Sequence, residues 1–241
     1  MVAPPPSAAL TAELRSAEAS GLVEICARAE RAAGLPACLL LAIASRETGC
    51  RDVVGDHGHG RGYFQIDDRY HHGWLARHRA GGAGMTPPPA AAAAYAAGIV
   101  ESNLAYGRVH GVRNAELMRF ALSAYNAGPL GALRGYRAGD SDLETTGHDY
   151  GADVLARMEA FRRARRPLLS PGARGPAIAE LTALLRAWYE REGTPVPRFT
   201  PGPVLGPATV RALLEFQVAV GLEPDGIAGP LTWAALADAP S

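Results

Sequence analysis

The amino-acid sequence predicts a mainly α-helical protein with one small glycine-rich β-sheet, followed by a small three-helix domain. Through most of the chain, apolar residues recur at the three- and four-residue spacing of amphipathic helices. Residues 51–67 differ, because short apolar runs alternate there with four glycines, a pattern that favours a small sheet or hairpin. A stretch rich in arginine and proline around residue 166 then indicates a boundary between two domains.

The helices of the first domain each have a local signal. Leu14, Leu22 and Ile25 share one helical face, and Gly34 ends that helix. Pro36 is expected to open the next helix, because proline is tolerated at the first helical position. The helical pattern returns after the glycine-rich residues. We expect the helices of this domain at 12–33, from Pro36 onward, at 89–106, at 114–125 and at 149–165.

Three further amphipathic segments follow the arginine-rich stretch, at 178–192, 207–220 and 230–236. Three short helices in about seventy residues suffice for a small accessory domain. We therefore divide the chain into a first domain at 1–166, a linker at 167–175 and a second domain at 176–241.

Composition excludes several classes of function. The chain has 24 arginines, 24 acidic residues and no lysine. A lysine Schiff base and a P-loop lysine are therefore excluded. Because neither half is a polycation, binding to nucleic acid or to a membrane surface is not expected. The three cysteines could form one disulfide or lie as small buried apolar side chains.

The start of the chain lacks the basic region and long apolar core of a secretory signal. The longest apolar run, at 35–44, is too short to span a bilayer. For a substrate outside the cytoplasm, we expect either a trimmed signal or export by another route.

Glu47 is the strongest candidate for a catalytic side chain. Leu40 and Ile43 precede it at the offsets of one helical face, so its carboxyl group continues an apolar stripe. Poor solvation and the negative end of the helix dipole both raise the pKa of such a group. A carboxylic acid that stays protonated near neutrality is suited to general acid catalysis. The alternative is an ordinary surface glutamate that pairs with Arg46 or Arg51.

Two aspartates, Asp56 and Asp67, follow Glu47 in a polar, turn-rich context and are expected to stay ionised. An acid and candidate bases in one short span indicate glycoside hydrolysis, in which one group protonates the leaving oxygen while another activates water. Asp68 is expected to be a solvated neighbour, although a shift of one residue in strand phase would exchange the roles of Asp67 and Asp68.

With these residues in view, the first domain resembles the goose-type lysozymes of the lysozyme-like superfamily. The resemblance rests on four motifs in the right order: R-E-T-G at 46–49, G-D-H-G-H-G-R-G-Y-F-Q-I-D-D-R-Y-H at 55–71, S-A-Y-N-A-G at 123–128 and T-T-G-H-D-Y-G-A-D-V-L-A-R at 145–157. It implies a lysozyme-like α+β fold. It also implies cleavage of the β-1,4 bond between N-acetylmuramic acid and N-acetylglucosamine, with inversion of the anomeric centre.

The resemblance also implies roles for individual residues. Glu47 would be the general acid, whereas Asp56 and Asp67 would hold and activate the attacking water. We expect Asp67→Asn to cost more activity than Asp56→Asn. Tyr150 could line the cleft or pack against the Glu47 helix. Four residues would contact the substrate, namely His71, Tyr125, Asn126 and Tyr150. Neither a cofactor nor a metal is implied.

The second domain resembles the peptidoglycan-binding domains of the three-helix type. The resemblance is carried by L-G-P-A-T-V-R-A-L-L-E-F-Q at 205–217 and V-G-L-E-P-D-G-I-A-G-P-L-T-W-A-A-L at 220–236. A proline-rich insertion at 194–203 departs from the usual pattern. Trp188, Phe216 and Trp233 lie on apolar stripes and are expected in the core. The layout resembles that of endolysins and implies a monomeric, bacteriolytic, antimicrobial muramidase that acts on bacterial peptidoglycan at the cell wall.

Three other functions stay open. A lytic transglycosylase would use the same acid, but the muramic acid's own hydroxyl would displace the leaving group and give 1,6-anhydro ends. A non-catalytic wall-binding protein would keep the fold without activity. A zinc peptidase is suggested by several histidines, yet the chain has no H-E-x-x-H motif. These histidines are His57, His59, His71, His72 and His78.

Overall fold

The computed structural model describes residues 7–78, 85–199 and 202–237. The outer ends of the two expected domains and residues 200–201 of the proline-rich insertion lie outside the described residues. The described chain is mainly helical with a small three-stranded sheet, as the sequence predicts. It divides after Arg162 into two compact units. We call them the large unit, which begins at residue 7, and the small unit, which ends at residue 237.

Within the described residues, the large unit contains seven α-helices and one short antiparallel sheet. The helices are α1 (Ala8–Ala19), α2 (Leu22–Ala32), α3 (Leu39–Thr48), α4 (Asp68–His78), α5 (Pro89–Val109), α6 (Asn114–Arg137) and α7 (Tyr150–Ala164). The strands are β1 (Val54–Gly55), β2 (Gly60–Arg61) and β3 (Ile66–Asp67), in the order β1-β2-β3. Short 3₁₀ turns lie at Asp56–Gly58 and Thr146–His148.

Two helix boundaries near the N-terminus differ from the sequence prediction. The helix expected at 12–33 is split into α1 and α2, because Gly21 adopts a left-handed conformation with φ 74°. Pro36 does not open α3. This helix begins at Leu39, directly after Cys38, which is also left-handed with φ 66°.

Two further helices differ in extent. No helix is predicted from the sequence at α4, because Leu75 is its one buried residue and apolar periodicity is lacking there. The helix expected at 114–125 continues as α6 to Arg137, through a break at Gly128 with φ 72°. The pattern underestimated α6 because Gly128 and Pro129 are ordinary signals for the end of a helix.

The apolar helix α3 lies in the core of the large unit. Every side chain from Leu39 to Ser45 is buried. Glu30 of α2 caps its first turn, because its carboxylate accepts hydrogen bonds from the backbone N–H groups of Cys38 (3.0 Å) and Leu40 (2.8 Å). A carboxylate at this position satisfies free N–H groups and complements the helix dipole. The helix therefore meets solvent only near its C-terminal end.

Gln65 holds the small sheet together. Its side-chain amide donates hydrogen bonds to the backbone carbonyls of Val53 (3.2 Å) and Gly62 (2.9 Å). A Cβ atom at Gly55 or at Gly60 would overlap the carboxamide of Gln65. The two glycines face each other across β1 and β2 and leave the space that this side chain fills.

Asp142 fixes the start of α7. Its buried carboxylate accepts hydrogen bonds from the backbone N–H groups of Gly151 (2.6 Å) and Ala152 (3.1 Å). Ser123 Oγ (2.7 Å) and Arg119 Nε (2.9 Å) donate to the same carboxylate. A Cβ atom at Gly151 would lie 2.7 Å from the Arg119 carbonyl oxygen, so the close approach of α7 to α6 requires a glycine there.

The small unit has three α-helices within its described residues: α8 (Ala177–Arg191), α9 (Pro207–Ala219) and α10 (Pro230–Ala237). The aromatic residues expected in its core, Trp188, Phe216 and Trp233, are buried. Buried Gln217 links α9 to the turn before α10. Its amide donates to Asp225 Oδ1 (2.8 Å) and accepts from Gly226 N (3.0 Å).

The segment expected to be a linker, 167–175, packs as part of the small unit. Leu169 is buried and pairs with Ala228 through two backbone hydrogen bonds. The backbone carbonyl of Pro167 accepts a hydrogen bond from the Trp233 indole (2.8 Å). This segment therefore contributes to the core of the small unit.

Cys26, Cys38 and Cys50 are buried and form no disulfide in the described chain, which agrees with the alternative of small buried side chains. No described helix is both long enough and apolar enough to cross a bilayer.

Asp142→Asn should destabilise the large unit by about 3 kcal/mol at neutral pH, because the amide nitrogen would face donors that need a carboxylate. Burial alone would raise the pKa of Asp142, but the hydrogen bonds from Gly151, Ser123 and Arg119 lower it overall. A lowered pKa stabilises the fold above the unfolded-state value and loses that contribution as the pH falls. Urea unfolding should therefore show a mutant defect that shrinks towards about pH 3.

Glu159→Gln is the matched control, since Glu159 forms a partly exposed pair with Arg162. It should change the free energy of unfolding by less than about 0.5 kcal/mol. Equal effects of the two substitutions, or a defect that grows as the pH falls, would contradict the role of Asp142.

Candidate active site

Glu47 lies in the last turn of α3, where this buried helix reaches solvent. It is only partly exposed, and Gly49 follows it as a left-handed helix cap with φ 60°. Its Oε1 atom accepts a hydrogen bond from the hydroxyl of Tyr150, at the start of α7. The structure thus places the predicted acid beside a phenol donor at the edge of the core.

Burial raises the pKa of Glu47 to about 7, and the Tyr150 hydrogen bond and the positive charge of Arg46 offset part of this rise. Among the described residues, neither arginine considered from the sequence forms an ion pair with Glu47. Arg46 binds aspartates of α7 and the turn before it, and Arg51 donates to a backbone carbonyl. The desolvation argued from the apolar stripe is therefore present in the folded protein.

Arg46 connects the C-terminal end of α3, where Glu47 lies, to α7 and the turn before it. Its guanidinium binds Asp149 (2.8 Å) and Asp153 (2.9 Å), and lies 5.6 Å from the ring centroid of Tyr150. Cation–π contact and bidentate pairing both use the planar guanidinium. Arg46 thereby holds Tyr150 in the position from which its hydroxyl reaches Glu47.

Tyr125 of α6 is a second tyrosine near Glu47. Its hydroxyl donates to the backbone carbonyl of Phe64, 3.0 Å away, next to the sheet. Burial raises the pKa of Tyr125 well above its usual value, and the Glu47 carboxylate raises it further. The two tyrosines with predicted substrate roles therefore both lie near the acid, with their hydroxyl hydrogens already donated to protein groups.

Asp56 and Asp67 are joined by Arg69, a residue that the sequence analysis did not select. Arg69 Nη2 donates to Oδ2 of Asp56 and, at 2.6 Å, to Oδ2 of Asp67. Hydrogen bonds from Arg69 lower the pKa of Asp67. Asp56 adopts a left-handed conformation with φ 46°, which turns the chain between β1 and β2. We refer to Asp56, Asp67 and Arg69 as the aspartate group.

Asp68 has partners that differ from those of the aspartate group. Its carboxylate binds His59 Nδ1 (2.8 Å) and Arg61 Nη2 (2.6 Å). Ligand atoms of His59, Asp67 and Asp68 lie within 4.8 Å of one another, a spacing at which a metal could bind. However, each carboxylate already binds an arginine, so the local charge that would attract a cation is largely compensated.

His71, at a kink in α4, belongs to a row of aromatic side chains with Tyr95 and Trp74. Its Nδ1 atom lies 2.9 Å from the hydroxyl of Tyr95, and Tyr95 stacks on Trp74 at a centroid distance of 4.1 Å. Burial lowers the pKa of His71, although the charge of Asp67 opposes this change. The neutral imidazole is therefore favoured, which suits a hydrogen bond to a tyrosine or to a sugar hydroxyl.

Asn126 follows Tyr125 on α6 and is exposed. Its side-chain oxygen accepts a hydrogen bond from the backbone N–H of Thr146 at 2.8 Å. The same contact ties α6 to the turn that leads into α7. The amide NH₂ of Asn126 has no partner among the described residues, so it can donate to a ligand.

The structure therefore connects most of the predicted site residues through direct contacts or mutual electrostatic influence. Tyr150, Glu47 and Tyr125 form one cluster. Tyr95, which lies beside His71, raises the pKa of Tyr125, and the charge of Asp67 acts on His71. Arg69 and Tyr95 were missed. The only available signal for Arg69 was its spacing two residues after Asp67, which is common in loops, and Tyr95 lay in an alanine-rich helix.

The small unit contains a separate surface cavity of about 530 Å³. Its lining is almost wholly apolar, with Leu205, Val210 and Leu214 among the walls and Arg211 as the charged residue. The cavity lies at the N-terminal half of α9, next to the glycine and proline residues that precede that helix.

Comparison with known proteins identifies the small unit. Residues 174–236 match the family described as a peptidoglycan binding domain. A protein from Kitasatospora aureofaciens, described as an uncharacterized protein in the bpoA1 3′ region, is 40% identical over 70 residues, which cover 29% of this chain and 55% of that protein. The chain thus spans about half the length of that curated relative. The family match confirms the C-terminal binding module predicted from the sequence.

Tyr150→Phe should raise the pKa of Glu47 above about 7, because the Tyr150 hydrogen bond is one of the two contacts that lower it. The carboxyl ¹³C chemical shift of Glu47, followed by NMR as a function of pH, would measure this change, and Glu47→Gln would assign the signal. Tyr125→Phe is the matched control, since that hydroxyl donates to a backbone carbonyl instead. An unchanged or lower pKa in Tyr150→Phe would show that the hydrogen bond does not act on Glu47.

Proposed function

We propose that this chain is a peptidoglycan hydrolase, a muramidase that cleaves the β-1,4 bond between N-acetylmuramic acid and N-acetylglucosamine, with a C-terminal module that binds the cell wall. The observation that carries the proposal is a partly buried carboxyl group, Glu47, with a pKa of about 7 beside a tyrosine hydroxyl. The resemblance of the large unit to goose-type lysozymes supports the same assignment.

Glu47 acts as the general acid in this proposal. Because its pKa is about 7, a large fraction of the group is protonated near neutral pH, and the proton is still acidic enough to be transferred to the leaving oxygen. Activity that depends on this proton declines as the pH rises through about 7. Departure of the N-acetylglucosamine oxygen then leaves an oxocarbenium-like centre on the muramic acid.

The aspartate group supplies the second half of the reaction. In a reaction that inverts the anomeric centre, a carboxylate takes a proton from water that attacks the opposite face of the sugar, and the two carboxyl groups lie about 6.5 to 9.5 Å apart. Hydrogen bonds from Arg69 lower the pKa of Asp67 and so favour its charged form, and the same guanidinium also pairs with Asp56. No cofactor takes part.

The other predicted site residues differ in which of their donor and acceptor atoms stay available to a substrate. The amide NH₂ of Asn126 has no partner in the described part of the chain, and His71 has a second ring nitrogen, so both are proposed to contact the sugar or its N-acetyl group. Tyr125 and Tyr150 can still accept hydrogen bonds through their hydroxyl oxygens. Tyr150 is proposed mainly to orient the Glu47 carboxyl group, and Tyr125 to hold the backbone at Phe64, next to the sheet.

The small unit raises the local concentration of the enzyme on its polymeric substrate. Tethering converts each later encounter with the wall into an intramolecular event, without a new contact at the active site. Such a layout fits a monomeric, bacteriolytic enzyme of the endolysin type, or a bacterial enzyme that remodels or attacks a cell wall from outside the cytoplasm.

A lytic transglycosylase is the second candidate, and one observation favours it. Arg69 already occupies both aspartates, and a transglycosylase needs no enzymic base, since a hydroxyl of the muramic acid itself displaces the leaving group. The same Glu47 would protonate the leaving oxygen. The products distinguish the two reactions, because hydrolysis leaves reducing ends and transglycosylation leaves 1,6-anhydro ends.

Glu47→Gln should abolish the release of wall fragments, with a loss of at least about 1000-fold, because the amide keeps the shape but cannot donate the proton. Mass spectrometry of digested peptidoglycan measures both the amount and the type of ends. The variant should still sediment with insoluble peptidoglycan, since the small unit is unchanged. Full activity of Glu47→Gln would refute the assignment. Sedimentation of the wild type without any fragments would instead indicate a non-catalytic wall-binding protein.

Leu214→Glu should weaken sedimentation of the chain with peptidoglycan by about tenfold, because it places a charge in the wall of the apolar cavity. Val218→Glu, one turn further along α9 on an exposed position, is the matched control and should bind like the wild type. Soluble oligosaccharide should be cleaved by both variants at the wild-type rate. Undiminished binding by Leu214→Glu would show that the wall polymer uses another surface.

A further inference from the structure

Arg69 binds the two aspartates unequally. Its backbone N–H (2.8 Å) and its Nε (3.0 Å) both donate to Oδ1 of Asp67. Nε (3.0 Å) and Nη2 (2.6 Å) also donate to Oδ2 of Asp67. Asp56 receives one hydrogen bond, from Nη2 to Oδ2. The guanidinium is therefore anchored on Asp67 and reaches Asp56 with one nitrogen.

The two carboxylates differ in how many of their lone-pair positions are still free to accept a hydrogen bond. An ionised carboxylate has about four lone-pair positions. Both oxygens of Asp67 accept two N–H contacts each from Arg69, which leaves little capacity for a water molecule. The Oδ1 atom of Asp56, by contrast, accepts no hydrogen bond from any described residue.

Exposure to solvent also favours Asp56 over Asp67 as the carboxylate that binds water. The side chain of Asp56 is 49% exposed, whereas that of Asp67 is 22% exposed. Asp67 is also fixed in β3 opposite Gly60, while Asp56 stands on the turn between β1 and β2. A water molecule can therefore approach Asp56 more readily than Asp67.

We propose that Asp56 is the catalytic base of the hydrolysis and that Arg69 is a positioning residue, anchored on Asp67, which orients the Asp56 carboxylate. The inference rests on the proposed function. The attacking water forms a bond to the anomeric carbon and gives one proton to Oδ1 of Asp56. The bond from that carbon to the leaving oxygen breaks, and Glu47 supplies the proton for that oxygen. Solvent then returns the proton from Asp56 to Glu47.

The proposal reverses the ranking expected from the sequence, in which Asp67→Asn costs more than Asp56→Asn. An asparagine at position 67 keeps one oxygen that can accept from Arg69, so much of the anchor survives. An asparagine at position 56 has no lone pair basic enough to take the water proton. We therefore expect Asp56→Asn to lose about 100-fold or more in kcat, and Asp67→Asn to lose about tenfold.

Azide tests the base directly, because it is an anionic nucleophile that needs no deprotonation before it attacks the anomeric carbon. Purified full-length Asp56→Ala, Asp67→Ala and Arg69→Gln are assayed on soluble peptidoglycan oligosaccharide, with and without sodium azide. Products are identified by mass spectrometry. Asp56→Ala should recover at least about tenfold in rate and form the glycosyl azide. Glu47→Gln, which lacks the acid, should not respond.

Arg69 is tested by a pair of variants. Arg69→Gln removes the charge and the planar fork, so it should lower kcat with little change in KM and should recover in azide, because the lost element is the orientation of the base. Arg69→Lys keeps the charge but cannot donate to both aspartates in the same geometry, and it should lie between wild type and Arg69→Gln. A purely structural arginine would give a loss that azide does not repair. Circular dichroism melts of every variant confirm that the large unit is folded.

The outcomes separate this inference from the proposed function. If the wild type releases reducing ends, but Asp67→Asn loses more than Asp56→Asn or Asp56→Ala fails to form the azide adduct, the inference is wrong and the muramidase stands. If the wild type releases 1,6-anhydro ends, the enzyme is a lytic transglycosylase. No water is then activated, and the assignment of Asp56 as the base is wrong. If the wild type releases nothing, both the inference and the proposed function are overturned.

Discussion

The burial of α3 is the constraint on which the rest of the large unit depends. A helix that is buried along most of its length must satisfy its first N–H groups inside the protein, and Glu30 does so. It must also bring its last turn to the surface beside apolar neighbours. Glu47 occupies that turn, so its raised pKa is a consequence of how the core is built. The contacts of Arg46, Tyr150 and Tyr125 then fix where its carboxyl group points.

Within the described residues, arginine forms most of the ion pairs around the site, because the chain has no lysine, and His59 is a further partner of Asp68. Several guanidinium groups each bridge two carboxylates, which a single ammonium group does with less geometric control. Each of these arginines binds at least one carboxylate from another element or loop, so the ion pairs also connect separate segments of the large unit. The pairs are Asp149 with Asp153 at Arg46, Asp56 with Asp67 at Arg69, Asp140 with Asp142 at Arg119, and Glu13 with Asp153 at Arg157.

Periodicity was sufficient to predict features that depend on neighbours in sequence. The apolar stripe that leads to Glu47, the glycine-rich sheet and the three helices of the small unit are of this kind. Features that depend on distant residues were not predictable. Arg69 becomes important only when the turn that holds Asp56 folds back over β3, and α4 has too few apolar residues to show a helical period. Asp142 anchors α7 through contacts from α6 that no local pattern encodes.

Gln65 makes three positions of the sheet interdependent. Its carboxamide fills the space above Gly55 and Gly60, and any larger residue at either glycine would need a smaller side chain at position 65. Related sequences should therefore keep all three residues or change them together. Such linked variation would show that the backbone shape of the sheet is conserved as a unit. The charged residues on the sheet could then vary independently of that shape.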